Sequence, residues 1–309
     1  MPEGHSIHRL ARQFQDVFAG KLLSVSSPQG RFSSGAGLLD GHRLTGANAH
    51  GKQLFLRFDH GLLLHVHLGL YGAWNFGGDE SFRGASSIGA PRRIGERETF
   101  LSDDAVQEAV FPAGATSTNS AGYAGPPEPV GAVRVRLVSA DGWADLRGAT
   151  TCAAITEADA AAVLARLGPD PLHNRPGDRD EFIRRLGRRK AGVGLLMMDQ
   201  SVLAGVGNIY RAEVLFRQGI DPWTPGNGVD AGTAGLLWDD TVAAMNDGVR
   251  EGRIVMTSAA FWSRSDGPLD GEAHFVYKRQ GQPCHRCGAV VEMAEIGARK
   301  LYWCPGCQD

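Results

Sequence analysis

Residues 195–216 read LLMMDQSVLAGVGNIYRAEVLF, and they organise the reading of the whole chain. The apolar run before Asp199 and Gln200 has the look of a helix that ends there. The turn SVLAGVGN follows. Gly205 and Gly207 let its backbone bend and come close to a ligand. Asn208 reads as the N-cap of a second helix, NIYRAEVLFRQG. The free amides at such a helix start, together with the helix dipole, make an anion site. Just upstream, IRRLGRRK brings together Arg184, Arg185, Arg188, Arg189 and Lys190. Beside an amide-lined turn, that cluster reads as a track for a phosphate backbone.

Working outward, the C-terminal side keeps the helical pattern in AGTAGLLWDDTVAAMNDGVREG. The N-terminal side holds RDEFIRRLGRRK and TEADAAAVLARLG, the latter with Thr156 as its N-cap. Before about 148–155 the chain is β-rich. KQLFLRFDHGLLLHVHLGLYGAW alternates about a turn at Asp59-His60-Gly61, and AVRVRLVSADGWADLRG about Asp141-Gly142, so each reads as a hairpin. Between them, Gly77–Val130 is rich in Gly, Ser, Ala and Pro and reads as a mobile insertion. Within it, DAVQEAVF is a short helix or strand. Residues 4–19 place Ile7, Leu10, Ala11, Phe14, Val17 and Phe18 at steps of three and four, an amphipathic helix stopped by Gly20.

The tail carries CHRCGAVVEMAEIGARKLYWCPGC. Cys284, Cys287, Cys304 and Cys307 form C-x2-C-x16-C-x2-C, two knuckles that aim four thiolates at one point. That is the closed tetrahedral site of a structural zinc ion. The residues between the pairs alternate as two strands with a turn near Gly297, so Arg299 and Lys300 ride on a stiff hairpin tip, well placed to reach a phosphate. His285 reads as a surface residue and Cys152 as a small apolar one.

The bulk numbers set limits. The 309 residues carry a net charge of -2, with 42% hydrophobic and 21% charged residues. That excludes a wholly basic nucleic-acid binder but allows a basic face on a neutral body. No apolar run reaches the ~18 residues of a membrane span, and no secretory pattern opens the chain. A cytoplasmic protein with no membrane partner is expected.

The chain opens MPEGHSIHRL. Enzymes that trim initiator methionine accept a following proline, so the mature chain is expected to begin Pro2-Glu3-Gly4. That start, HGKQLFL with Lys52, LLMMDQSVLAGVGNIYRAE and GARKLYWCPGC together resemble the Fpg/Nei DNA glycosylases, in order and over nearly the whole chain outside Gly77–Val130. The resemblance implies an α+β multidomain fold. An N-terminal β-sandwich with flanking helices (1–150) precedes a helix-two-turn-helix domain (151–260) and a zinc-finger β-hairpin (261–309). It also implies damaged double-stranded DNA as partner, with single-stranded or bubble DNA as further forms, bound by a monomer.

In this family the N-terminal proline amine attacks C1′ of the damaged nucleotide, and Pro2 matches it. The chemistry suits an α-amine. With a pKa near 8, about a tenth is neutral at pH 7, against one in a few thousand for an ordinary lysine. Attack gives an iminium and a route to strand cleavage. Glu3 matches the acid that protonates the opening sugar. Lys52 matches a lysine that grips phosphate near the lesion, and Asn208 and Arg299 match the other phosphate clamps. HLGLYGAW (67–74) resembles the endonuclease VIII form, in which Leu70 and Tyr71 fill the hole left by the flipped nucleotide. Gly69 departs from the glutamine of the best-known such enzymes. The endonuclease VIII form implies oxidised pyrimidines and β,δ-elimination. An Fpg-type purine glycosylase and a non-catalytic zinc-ribbon DNA binder are the alternatives.

Overall fold

A computed structural model of the chain describes residues 2–90, 125–269 and 271–308. Two compact units emerge. The first comprises Met1–Pro2, Ser6–Ala49 and Gln53–Ala162, and the second Glu3–His5, His50–Lys52 and Val163–Asp309.

The first unit is a β-sandwich. Its elements are α1 (Gly4–Phe18), β1 (Leu22–Ser26), α2 (Ser33–Leu39), β2 (His42–His50), β3 (Gln53–Phe58), β4 (Leu62–His67), β5 (Ala73–Gly78), β6 (Ser87–Gly89), β7 (Val133–Val138), β8 (Gly142–Arg147), β9 (Thr151–Thr156) and α3 (Glu157–Leu164). The strands run in the order β6-β5-β8-β7-β1-β2-β3-β4-β9. β1 and β2 pair only at Leu22↔Arg43 and Leu23↔His42, the corner where the two layers join. Both expected hairpins form, with Leu56 opposite Leu64 and Leu137 opposite Ala144. On α1 the positions 7, 10, 14 and 18 are fully buried. Phe14 meets Trp74 and Phe76 edge-on, centroids 4.8 and 5.2 Å apart. Gly20 ends this helix region at φ +82°, and Thr156 caps α3, its hydroxyl accepting from Asp159 N at 3.2 Å.

Gly77–Val130 is not all insertion. β5 runs through Gly78 into it, and β6 pairs back, Trp74 opposite Ile88. Ala85 and Ile88 are buried. Gln13 fastens the intervening turn through both ends of its amide, to Ala85 O and from Ala85 N. Glycine and serine content hid a strand whose side chains alternate into the core. DAVQEAVF lies outside the described residues.

The second unit holds α4 (Asp178–Leu186), α5 (Val193–Leu196), α6 (Asn208–Gln218) and α7 (Ala231–Glu251), then β10 (Glu292–Ile296) and β11 (Arg299–Trp303) as the expected hairpin, its turn at Gly297-Ala298. Phe182, Tyr210, Val214, Leu237, Trp238 and Met245 pack as its core. Asp230 caps α7 by accepting from Gly232 N and Thr233 N. The helix expected up to Asp199–Gln200 stops at Leu196. Asp199 accepts from Ser201 N at 2.9 Å and its hydroxyl at 2.6 Å, diverting the chain into turns. Gln200 then spans the turn, accepting from Gly205 N and donating to Val206 O.

Candidate active site

Glu3 organises the site. Its carboxylate accepts from Gly207 N and Ile209 N, both at 2.8 Å, with Tyr210 N at 3.5 Å. The acid from the chain start therefore satisfies the orphan amides of α6. This corrects two expectations. Asn208 is not the N-cap, which is Gly207, and those amides do not await an outside anion. Glu3 is fully buried. Burial pushes its carboxyl above the ordinary range, while the Lys52 charge and the amide bonds pull it back.

Lys52 lies half-buried in the Gly51-Lys52 turn between β2 and β3. Burial lowers its ammonium pKa. The Glu3 charge opposes this, and the Arg299 and Arg211 charges reinforce it. The turn is firmly anchored. Gly51 N donates to the buried Asp170 at 2.7 Å, and His50 Nε2 meets Gly168 O at 3.0 Å. Gly51 has φ +57°, and a methyl there would meet Ala204 Cβ at 2.8 Å. Asp170, in LGPDPL, escaped the sequence reading because an aspartate between prolines looks like any loop residue.

Asn208 is buried. Its amide donates to Lys300 O at 2.8 Å and also bonds the Tyr277 phenol. Its oxygen accepts from Arg211, whose guanidinium further donates to Gly194 O and Lys300 O. Arg211 was missed too. Its spacing of three after Asn208 on a helix was the available signal. Burial pushes its pKa down to about 10, against the pull of Glu3. Arg299 and Lys300 are exposed at the start of β11. One buried acid thus sits in the field of Lys52 and Arg211, and Arg299 acts on both of those cations.

Pro2, next to Glu3 in the chain, is buried in the first unit. Leu70 and Tyr71 are in the turn between β4 and β5 rather than in a strand. Leu70 is half-buried and Tyr71 is 80% exposed. Gly69 has φ +67°, and a methyl there would lie 1.9 Å from Thr150 Oγ1, which explains why no larger residue stands at this position. Of the basic cluster, Arg184 and Arg185 are committed to Glu181, and Arg185 also donates to Leu167 O and Ser201 O. Their charges are therefore partly neutralised within the helix. His65 bonds Gln53 at 2.8 Å and stacks on Phe55. Cys152 is half-buried, and burial pushes its thiol up to about 12, which disfavours the thiolate.

The four tail cysteines converge, their sulfurs all within 4.8 Å of one another. The Cys284–Cys307 and Cys287–Cys304 separations are 3.9 and 3.4 Å. A tetrahedral zinc with Zn–S near 2.3 Å sets its sulfurs about 3.8 Å apart. The site fits one structural zinc ion with no vacant position.

Fold and site together define a helix-two-turn-helix, zinc-finger protein with a buried acid at its N-terminus. Family models match in the same order. They are the formamidopyrimidine-DNA glycosylase N-terminal domain over 1–104, its H2TH domain over 167–259, and the zinc finger found in FPG and IleRS over 281–309. The chain is 40% identical to Endonuclease 8 1 of Mycobacterium tuberculosis across the full length of both, and 28% identical to Endonuclease 8 of Escherichia coli, again across both. The Lactococcus lactis formamidopyrimidine-DNA glycosylase crystal structure superposes with a TM-score of 0.70 at 20% identity, over 99% of each chain, which speaks to the fold alone. The chain belongs to the Fpg/Nei family of DNA glycosylases.

Proposed function

We propose that the protein is a bifunctional DNA glycosylase and abasic-site lyase of base excision repair. It acts in the endonuclease VIII manner on oxidised pyrimidines in double-stranded DNA, as a cytoplasmic monomer. Single-stranded and bubble DNA are further substrates in this reading. The observation that carries it is Glu3, an acid directly after Pro2, held by the amides of α6 in the field of Lys52 and Arg211.

Removal of Met1 frees the Pro2 ring nitrogen. That nitrogen bonds to C1′, the C1′–base bond breaks, and its electron pair leaves with the base. Glu3, its carboxyl held up by burial, gives a proton to the ring oxygen as the sugar opens. The iminium then acidifies C2′, and loss of that proton expels the 3′ phosphate. A second elimination expels the 5′ phosphate. Lys52 and Arg299 grip phosphates that flank the lesion. Asn208 serves as a third clamp once its bond to Lys300 O or Tyr277 opens. Before that it fastens the hairpin to α6. Leu70 and the exposed Tyr71 fill the space of the flipped nucleotide. The working parts are 1–150, 151–260 and 261–309. Zinc, held by Cys284, Cys287, Cys304 and Cys307, supplies rigidity to the finger and no chemistry.

Borohydride trapping on an abasic-site duplex tests the reading. A covalent adduct is expected, reduced but present in Pro2→Gly, which keeps a primary amine. It is lost when residues precede Pro2. Absence of any adduct with the processed protein leaves only the non-catalytic DNA binder. Competing duplexes with 5-hydroxycytosine, thymine glycol or 8-oxoguanine separate the pyrimidine reading from the purine one.

A further inference from the structure

Arg188, Arg189 and Lys190 are three consecutive exposed cations. Unlike Arg184 and Arg185, they have no carboxylate within ion-pair distance among the described residues. Nor do they sit on a floppy loop. The backbone from Arg189 to Gly194 is zipped against residues 222–227. Asn227 N donates to Arg189 O at 2.8 Å, Gly226 N to Ala191 O at 2.9 Å, Val193 N to Thr224 O at 2.8 Å, and Gly194 N to Pro222 O at 2.8 Å.

That facing segment carries Trp223, an indole left 43% exposed. It packs edge-to-face on Trp303 of β11, centroids 4.5 Å apart at 79°. The same ribbon reaches the hairpin tip, where Leu195 lies so close to Gly297 that a methyl there would sit 2.6 Å from its Cδ1. So within one unit a rigid cationic edge, an exposed aromatic face and the Arg299–Lys300 tip lie on adjoining elements. Burial of an indole is the ordinary outcome for so large an apolar group. Here it stays half in water beside three unneutralised charges.

We infer that Arg188, Arg189, Lys190 and Trp223 form a second DNA contact, outside the site built around Glu3, that takes an unpaired strand. The cations follow its phosphates, and a base stacks on the indole. Unpaired DNA is the occupant because a base inside a duplex has no free face to offer Trp223, whereas single strands are held by this combination of charge and aromatic surface. The inference rests on the proposal that DNA is the partner, and extends it to a strand flanking the lesion.

The test compares a tetrahydrofuran-site duplex with flush ends to the same duplex carrying a single-stranded thymidine extension, by fluorescence anisotropy across a salt series. In the wild-type protein the extension should tighten binding and steepen the log–log salt slope by about 2, roughly 0.7 per contacting cation. Arg188→Ala/Arg189→Ala/Lys190→Ala should abolish that increment and cost the extended duplex far more affinity than the flush one. Trp223→Leu, which keeps an apolar neighbour for Trp303, should weaken binding to the extended duplex on the order of tenfold and not touch the flush one. An increment that survives the triple substitution overturns the inference. Equal losses on both duplexes also overturn it, since they would make the edge a duplex-backbone contact. Borohydride trapping on the flush duplex runs alongside. Its failure in wild type counts against the glycosylase reading, while the slopes still decide the second contact.

Discussion

A methyl group at position 207 has nowhere to go. It would stand 2.4 Å from Glu3 Cδ and 2.6 Å from Cγ, so a side chain there expels the carboxylate from its amides. Gly207→Ala should therefore slow single-turnover base release on the order of a hundredfold, the scale of an ångström's misplacement. DNA affinity should be nearly kept. The thermal midpoint should fall as well, because a buried carboxylate and two amides lose partners at roughly 1–3 kcal/mol. Unchanged base release would show that Glu3 works elsewhere than on those amides. At this scale the sequence named Glu3 and Gly207 but not their meeting. Residues 204 apart share no local pattern, and Asn208 looked like the cap because only local partners can be read from a string. Asp170 escaped for the same reason, since it acts on a backbone amide far along the chain, as did the bond from Arg211 to Lys300 O.

Elements were more legible, because periodicity is a local property. α1, α6, α7, both sandwich hairpins and the zinc hairpin follow from apolar spacing and turn residues. α5 fell short because Asp199 and Gln200 bond the following backbone, a competition that apolar spacing does not record. β6 was hidden by small residues. The zinc hairpin is the element with the least core of its own. Its buried neighbours, Phe216, Val276 and Tyr302, surround Cys284 and Cys304. Glu213 ties the preceding segment to α6 through the amides of Phe275, Val276 and Tyr277. Zinc contributes about 10 kcal/mol or more to such ribbons. Chelation should melt β10 and β11 and free the Lys300 carbonyl that Asn208 and Arg211 hold. DNA binding should be lost, and hydrogen exchange in β3 and β4 should stay slow. Retained affinity after verified zinc loss would detach the hairpin from DNA binding.

At the scale of the whole molecule, each unit carries a histidine whose surroundings favour the neutral ring, His65 in the first and His274 in the second. In the first, burial and the neighbouring His67 charge lower His65 from the ordinary 6.5 to about 4. In the second, His274 falls to about 4, chiefly by burial and also through the Lys278 charge, against a bond to the backbone at Ile254. A folded-state pKa below the unfolded one means that unfolding takes up protons. The stability tied to each imidazole is therefore complete above pH 6.5 and is lost as pH falls from 6.5 to about 4. Discounting for residual solvent, each histidine accounts for roughly 2 kcal/mol over that window. Because the two windows coincide, the units should weaken together. Thermal midpoints followed by near-UV circular dichroism should drop through this range in one transition. Histidine resonances should show His65 and His274 still neutral at pH 5. His65→Gln, which can keep the 2.8 Å bond to Gln53, should flatten the acid slope by about half. The companion His274→Gln should remove much of the rest. Two well-separated acid transitions, or a slope indifferent to both substitutions, would place the acid sensitivity in other groups.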